Sequence, residues 1–135
     1  MEQQSKREIA FRFIYSQEFL KQNSKSQVKL FLDLNEIDDP RCREYVKEVS
    51  NALKEYEKEI EEIISKNLKP GWTIDRISTI DLSLLKLAIY EIKYKKIPYK
   101  IVINEIVEYA KQYGEENSSS FINGVLANIV KENIE

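Results

Sequence analysis

The chain contains no histidine and a single cysteine, Cys42. Without histidine, a Ser-His-Asp triad or an imidazole general base is excluded. With one thiol and no imidazole, the usual N/S zinc-ligand sets cannot be assembled. No internal disulfide can form, and a lone thiol fits a reducing compartment. Only three glycines and three prolines punctuate the 135 residues, which leaves few turns and suits long helices with short connections. No glycine-rich loop is present to cradle a nucleotide or a cofactor, and no cofactor is expected. No apolar run approaches the roughly 20 residues a membrane span needs. The N-terminal string MEQQSKRE lacks the apolar stretch of a signal peptide. A cytoplasmic protein without a membrane partner is expected.

What is present points to one all-α domain over residues 1–135. Hydrophobic residues make up 42% of the chain, enough for a core and too much for global disorder. Glu, Lys, Ile and Leu are abundant, and most of these favour helices. The formal net charge of −2 argues against a generic, charge-driven nucleic-acid binder. It leaves room for a local basic patch.

Apolar spacing divides the chain into helices. The first runs from about Gln4 to Lys21 through Ile9, Ala10, Phe13, Ile14, Phe19 and Leu20. Ser24 or Ser26 is a candidate cap for a short second helix through Val28, Phe31 and Leu32. Asp39-Pro40 is a helix start, with Asp as N-cap and Pro at the first helical position. The third helix then extends to about Lys66 and carries a strongly acidic outer face that would repel phosphate. Lys69-Pro70-Gly71 is a turn. Ser78 and Asp81 have capping-box spacing before a helix that is apolar almost all round, as a buried central helix would be. Pro98 separates it from a fifth helix over Tyr99–Tyr113, with Gly114 as its stop. Asn117 or Ser118 caps a sixth. A division into halves around residues 67–76 is compatible with one shared core.

Three clusters are candidate sites. Gln4, Ser5, Lys6, Arg7 and Arg12 place basic groups at a helix start, where they oppose the macrodipole. That placement favours a phosphate contact over helix stability, although an ordinary exposed helix end is the plainer reading. From Lys86 to Lys111 six lysines face three acidic residues, with Tyr99 and Tyr113 interleaved. Lysines beside aromatics suit single-stranded RNA. Asn104 and Glu105 interrupt an apolar run, and a buried Asn could tie segments together. Glu91 and Glu105 could form a carboxylate pair, but no nucleophile or metal set accompanies them, and a structural role is the better reading. Gly124 is expected to permit a close helix approach, with Asn123 bonded to a neighbouring backbone.

Taken in order, these residues resemble the NusB family of bacterial transcription antitermination factors. The marks are Asp75-Arg76, Leu87-Ala88-x-Tyr90-Glu91, Ile97-Pro98-Tyr99-Lys100, Ile103-Asn104-Glu105, Ala110-Lys111-x-x-Gly114 and Phe121-x-Asn123-Gly124-Val125-Leu126. Near the start, Arg7-Glu8-x-Ala10 and Tyr15-Ser16 are similar to the family's first helix. The resemblance implies a compact bundle of about seven helices in two small subdomains and a non-enzymatic role. It implies pairing with a small-subunit ribosomal protein, NusE, and joint binding to boxA RNA of nascent ribosomal transcripts within an RNA polymerase antitermination complex. By the same resemblance, the RNA-facing residues are Gln4, Lys6, Arg7, Lys100, Tyr113, Asn117 and Phe121. Tyr15 and Asp81 would face the ribosomal protein. Glu91, Asn104, Glu105, Asn123 and Gly124 would be architectural. Many members start with an arginine-rich stretch where this chain has Gln3, Gln4, Ser5, Lys6 and Arg7, which lowers the expected phosphate contribution. Two alternatives are a helical protein–protein adaptor and a module associated with ribosomal RNA methyltransferases. A homodimer is a further oligomeric state compatible with the sequence.

Overall fold

A computed structural model of the chain describes residues 5–20 and 25–132. Among the described residues there are six α-helices and no strand. They are α1 (Lys6–Leu20), α2 (Lys25–Leu34), α3 (Pro40–Lys66), α4 (Thr79–Ile89), α5 (Tyr99–Tyr113) and α6 (Ser118–Lys131). The count of about seven is corrected to six. Between α3 and α4, Ile74–Arg76 makes a single 3-10 turn before Ser78 opens α4. Gln4 and Ser24 lie outside the described residues.

Local chemistry sets the helix starts. Ser5 Oγ accepts the Glu8 N–H at 3.1 Å and caps α1. Asp39 Oδ1 accepts the Arg41 N–H at 2.9 Å at the start of α3. Ser78 Oγ accepts the Asp81 N–H at 3.1 Å and fixes the start of α4.

The described residues form two compact units, divided between residues 55 and 56. The division lies inside α3 rather than at the turn over 67–76. The C-terminal half of α3 is bound to the second unit by its side chains, as described below.

The first unit closes around Ile9 and Phe13 of α1, Val28 and Leu32 of α2, and Cys42 and Val46 of α3. Phe13 and Phe31 meet edge-on with centroids 5.4 Å apart. The α2–α3 loop is held by Arg43, which donates to the Ile37 carbonyl at 2.7 Å and to Asp33 at 3.0 Å. Burial raises the Cys42 thiol above its ordinary pKa, with Asp39 adding to the shift. The thiolate is therefore scarce as well as covered. Cys42 is expected to resist iodoacetamide at pH 7.5 in native protein and to react fully in denaturant. Rapid native labelling would contradict this packing.

In the second unit every residue from Asp81 to Ile89 is buried, so α4 is its central element. α4 packs against α5 and α6, which also pack against each other. Within that apolar helix Lys86 is only 1% exposed. Its ammonium lies 3.0 Å from Glu57 and 3.1 Å from Glu61, one turn apart on α3. The pair of carboxylates supplies the compensation a buried charge requires.

α4 does not end as a plain helix. Tyr90–Tyr94 forms a π-turn, in which the Lys95 N–H donates to the Tyr90 carbonyl at 3.1 Å. Tyr94 stacks on Tyr56 of α3 with centroids 4.1 Å apart, and Lys93 pairs with Glu59. Lys96 adopts a left-handed φ of 59°, and the Ile97 N–H donates to the Glu91 carbonyl at 3.0 Å. Pro98 then opens α5.

Candidate functional site

The candidate residues are distributed between the two units. In the first, Lys6 and Arg7 occupy the first turn of α1. The Lys6 ammonium lies 5.1 Å from the centre of the Tyr45 ring, a cation–π contact that holds an exposed charge in place. Tyr15 is 36% exposed, with its ring 6.5 Å from Phe11.

In the second unit Lys100 stands exposed in the first turn of α5 beside Ile101, which is 51% exposed. Tyr113 is in the last turn of the same helix. Thirteen residues at 1.5 Å per residue separate the two by about 20 Å. The structure therefore does not bring Lys100 to the Tyr113 end.

Asn117 and Phe121 do come together. The exposed Asn117 precedes α6, and its side chain caps no backbone group. Phe121 is one turn on, half-buried, with its ring 6.2 Å from that of Trp72. Both line a cavity of about 540 Å³ together with Lys69, Trp72, Arg76 and Asp81. A neighbouring cavity of about 520 Å³ shares Lys69, Trp72, Asn117 and Phe121 and reaches Gly124 and Asn128.

Burial and local crowding describe the remaining named residues. Asp81, expected on a partner face, is only 8% exposed. Its carboxylate is bonded to the Ser118 side chain, but Oδ1 has no hydrogen-bond partner. Burial is the main cause that raises its pKa above the ordinary 3.8, against the lowering effect of Ser118 and Ser78. A carboxyl with a raised folded pKa binds its proton more readily in the folded state. Folding is penalised as pH rises through that value, and the penalty vanishes once both states are protonated. Asp81→Asn should thus raise the urea midpoint at pH 7, and the advantage should shrink as pH falls toward 4. An advantage that grows in acid would contradict the assignment.

Asn104, read as a buried tether, is exposed on the outer face of α5, and Asn123, expected to bond a neighbouring backbone, is exposed on α6. Gly124 does not mediate a close approach, since a Cβ there would meet nothing within 4 Å. The crowded glycine is Gly114. Its added Cβ would lie 2.5 Å from Ser118 Oγ and 2.8 Å from the Ala110 carbonyl oxygen. Glu105 is half-buried, and Glu91, within the π-turn, is buried at 1% exposure.

Apolar spacing and charge clustering do not mark Lys69, Trp72 and Arg76 as site residues. One signal was available. Trp72 is the chain's only tryptophan and follows a Pro-Gly turn, a position from which a large ring can project. Gly71 has φ 88°, which glycine adopts readily, and the Trp72 N–H donates to the Lys69 carbonyl at 3.0 Å. Trp72 is 46% exposed.

The NusB family model matches residues 4–131. The chain belongs to the NusB family. It is 43% identical over 135 residues to transcription antitermination protein NusB of Acetivibrio thermocellus, covering 97% of this chain and 90% of that protein. A solved structure of T. maritima NusB superposes with a TM-score of 0.84 at 30% identity, covering 99% of this chain and 96% of the other. A crystal structure of the antitermination factors NusB and NusE in complex with double-stranded RNA gives a TM-score of 0.84 at 28% identity, covering 94% of each chain. NusB proteins are transcription antitermination factors, and this chain is not an enzyme. Among the described residues no helix is long and apolar enough to cross a membrane, and no cluster of three or more His, Cys, Asp or Glu is arranged to hold a metal.

Proposed function

We propose that the chain is a cytoplasmic RNA-binding adaptor that pairs with NusE, binds boxA RNA and joins an RNA polymerase antitermination complex. The observation that carries this reading is its likeness, over 94% of its length, to the NusB of a NusB–NusE–RNA structure. The distribution of charge agrees with it. The outer face of α3 exposes Glu44, Glu48, Glu55 and Glu62 and would repel a phosphate backbone. RNA is therefore expected on other surfaces, where Lys6, Arg7, Lys69, Arg76 and Lys100 stand. With a net charge of −2 the chain gains little from non-specific attraction, so affinity shared with a ribosomal protein is a natural arrangement.

The direct test titrates boxA RNA and a scrambled RNA with the chain alone and with NusE, at matched salt. Preference for boxA in the presence of NusE is expected. Equal binding of the two RNAs under both conditions would refute the proposal. Replacing Lys6 and Arg7 by alanine should reduce the slope of log affinity against log salt by roughly one per phosphate contact removed. An unchanged slope would leave the α1 start without a role in RNA contact.

A further inference from the structure

We propose that Trp72, with Phe121 beside it, is a stacking platform for one unpaired nucleobase of the bound RNA, and that Lys69 and Arg76 meet the adjoining phosphates. The inference rests on the RNA-binding reading and goes beyond it by assigning a subsite to residues on the turn before α4. Its exposure, setting and surroundings support it. Trp72 is nearly half exposed, although burying an indole would contribute more to stability than leaving it in water. Its position is fixed by the Gly71 turn and by the following 3-10 turn, in which the Arg76 N–H donates to the Thr73 carbonyl at 3.0 Å. The backbone that carries the ring is therefore set before any ligand arrives, which lowers the entropy lost on binding.

The surroundings suit a base better than an apolar peptide side chain. Phe121 flanks the indole at 6.2 Å and a tilt of 32°. The Arg76 guanidinium lies 5.6 Å from the centre of the indole ring, where a flat cation can be exchanged for a flat base. The cavities at this pair, about 540 and 520 Å³, fall within the ~300–1,000 Å³ range of small-molecule clefts. Their linings offer Asn117, Ser120 and Asn128 for the edges of a base and Lys69 for a phosphate. Glu115 and the buried Asp81 also line the first cavity, so anionic groups are excluded from that end. The phosphates are directed toward Lys69 and Arg76. Gly124 leaves the second cavity open, since no side chain occupies the space above it.

The chain has one tryptophan, so its emission reports this site alone. In the presence of NusE, boxA RNA should quench Trp72 fluorescence, and an abasic substitution at one nucleotide should abolish the quench while most of the others do not. Trp72→Ala should weaken RNA binding on the order of 10- to 100-fold by anisotropy, the range base–aromatic stacking provides, and Trp72→Phe should retain most of the affinity. Gly124→Gln, which places a helix-compatible side chain over open space, should weaken binding about 10-fold or more without lowering the melting temperature. If wild-type protein binds boxA RNA with no change in emission and Trp72→Ala binds equally well, the platform is wrong and the RNA-binding reading stands. If wild-type protein with NusE shows no preference for boxA, that reading fails and the platform with it. If Trp72→Ala loses NusE and keeps RNA, the patch is a protein contact and the platform is overturned.

Discussion

Lys86→Ala is expected to lower the free energy of unfolding by about 3 kcal/mol, the low end of what removing one partner of a buried ion pair costs. The lysine is 1% exposed, and its stem fills space inside the most buried helix of the second unit. Alanine would leave a cavity there. It would also leave Glu57 and Glu61 facing that cavity, with like charges one turn apart on α3. Their side chains are 47% and 39% exposed, so water can relieve part of this, which is why the low end is chosen. For a domain of this size the loss amounts to roughly 10 °C in melting temperature. Lys86→Met separates volume from charge. It keeps the stem and removes the ammonium, and should cost no more than about 1 kcal/mol because both glutamates can turn outward. Urea denaturation of the two variants tests this. Equal losses for Ala and Met would show that charge rather than packing makes Lys86 necessary, and a loss under about 1 kcal/mol for Ala would show that it is dispensable.

Gly114→Ala is expected to destabilise the chain by about 1–3 kcal/mol, the usual range for forcing atoms into occupied space. The reason is not a left-handed backbone. Gly114 has φ −93° and ψ −169°, which any residue can adopt. The obstacle is Ser118, whose Oγ and Cβ would lie 2.5 and 2.6 Å from the new methyl, with the Ala110 carbonyl oxygen at 2.8 Å. That carbonyl already accepts the Gly114 N–H at 2.9 Å and belongs to α5, so it has little freedom to retreat. Ser118 cannot move without loss either. Its Oγ accepts the Glu115 N–H at 2.9 Å, and its side chain bonds the Asp81 carboxylate. The strain should therefore extend from the α5–α6 loop to the start of α4. Gly124→Ala provides the contrast. It adds a methyl to open space on a helix and should stabilise by about 0.5–1 kcal/mol. Thermal melts of the two variants should shift in opposite directions, and a shared direction would refute this account of both glycines.

The two glycines also show what the sequence could and could not convey. Helix boundaries were legible where a few adjacent residues determine them. Pro40 after Asp39, Ser78 before Asp81, and Pro98 all act through local backbone chemistry, and helices begin there. The all-α class followed from apolar spacing, which needs no knowledge of neighbours. Burial at single polar positions was not legible. Asn104 and Asn123 each interrupt an apolar pattern, and whether such a position faces in or out depends on a helix distant in sequence. The same holds for Lys86, whose carboxylate partners lie on a different helix. Of the candidate site, Asn117 and Phe121 were named, but their neighbours Lys69, Trp72 and Arg76 were not. Those three lie on a turn and a single 3-10 turn, where no periodicity marks an outward-facing group.

The π-turn at Tyr90–Tyr94 places one surplus residue in an otherwise regular helical ladder. Each residue of an α-helix turns the chain by about 100°, so that surplus sets the angular phase of whatever follows it. Everything from Asp81 to Ile89 is in phase with the core, whereas Lys93 and Tyr94 are in phase with Glu59 and Tyr56. A one-residue deletion here would act as a frame shift in three dimensions. The buried face of α4 would be unchanged, while the ion pair and the ring stack beyond it would rotate out of register together.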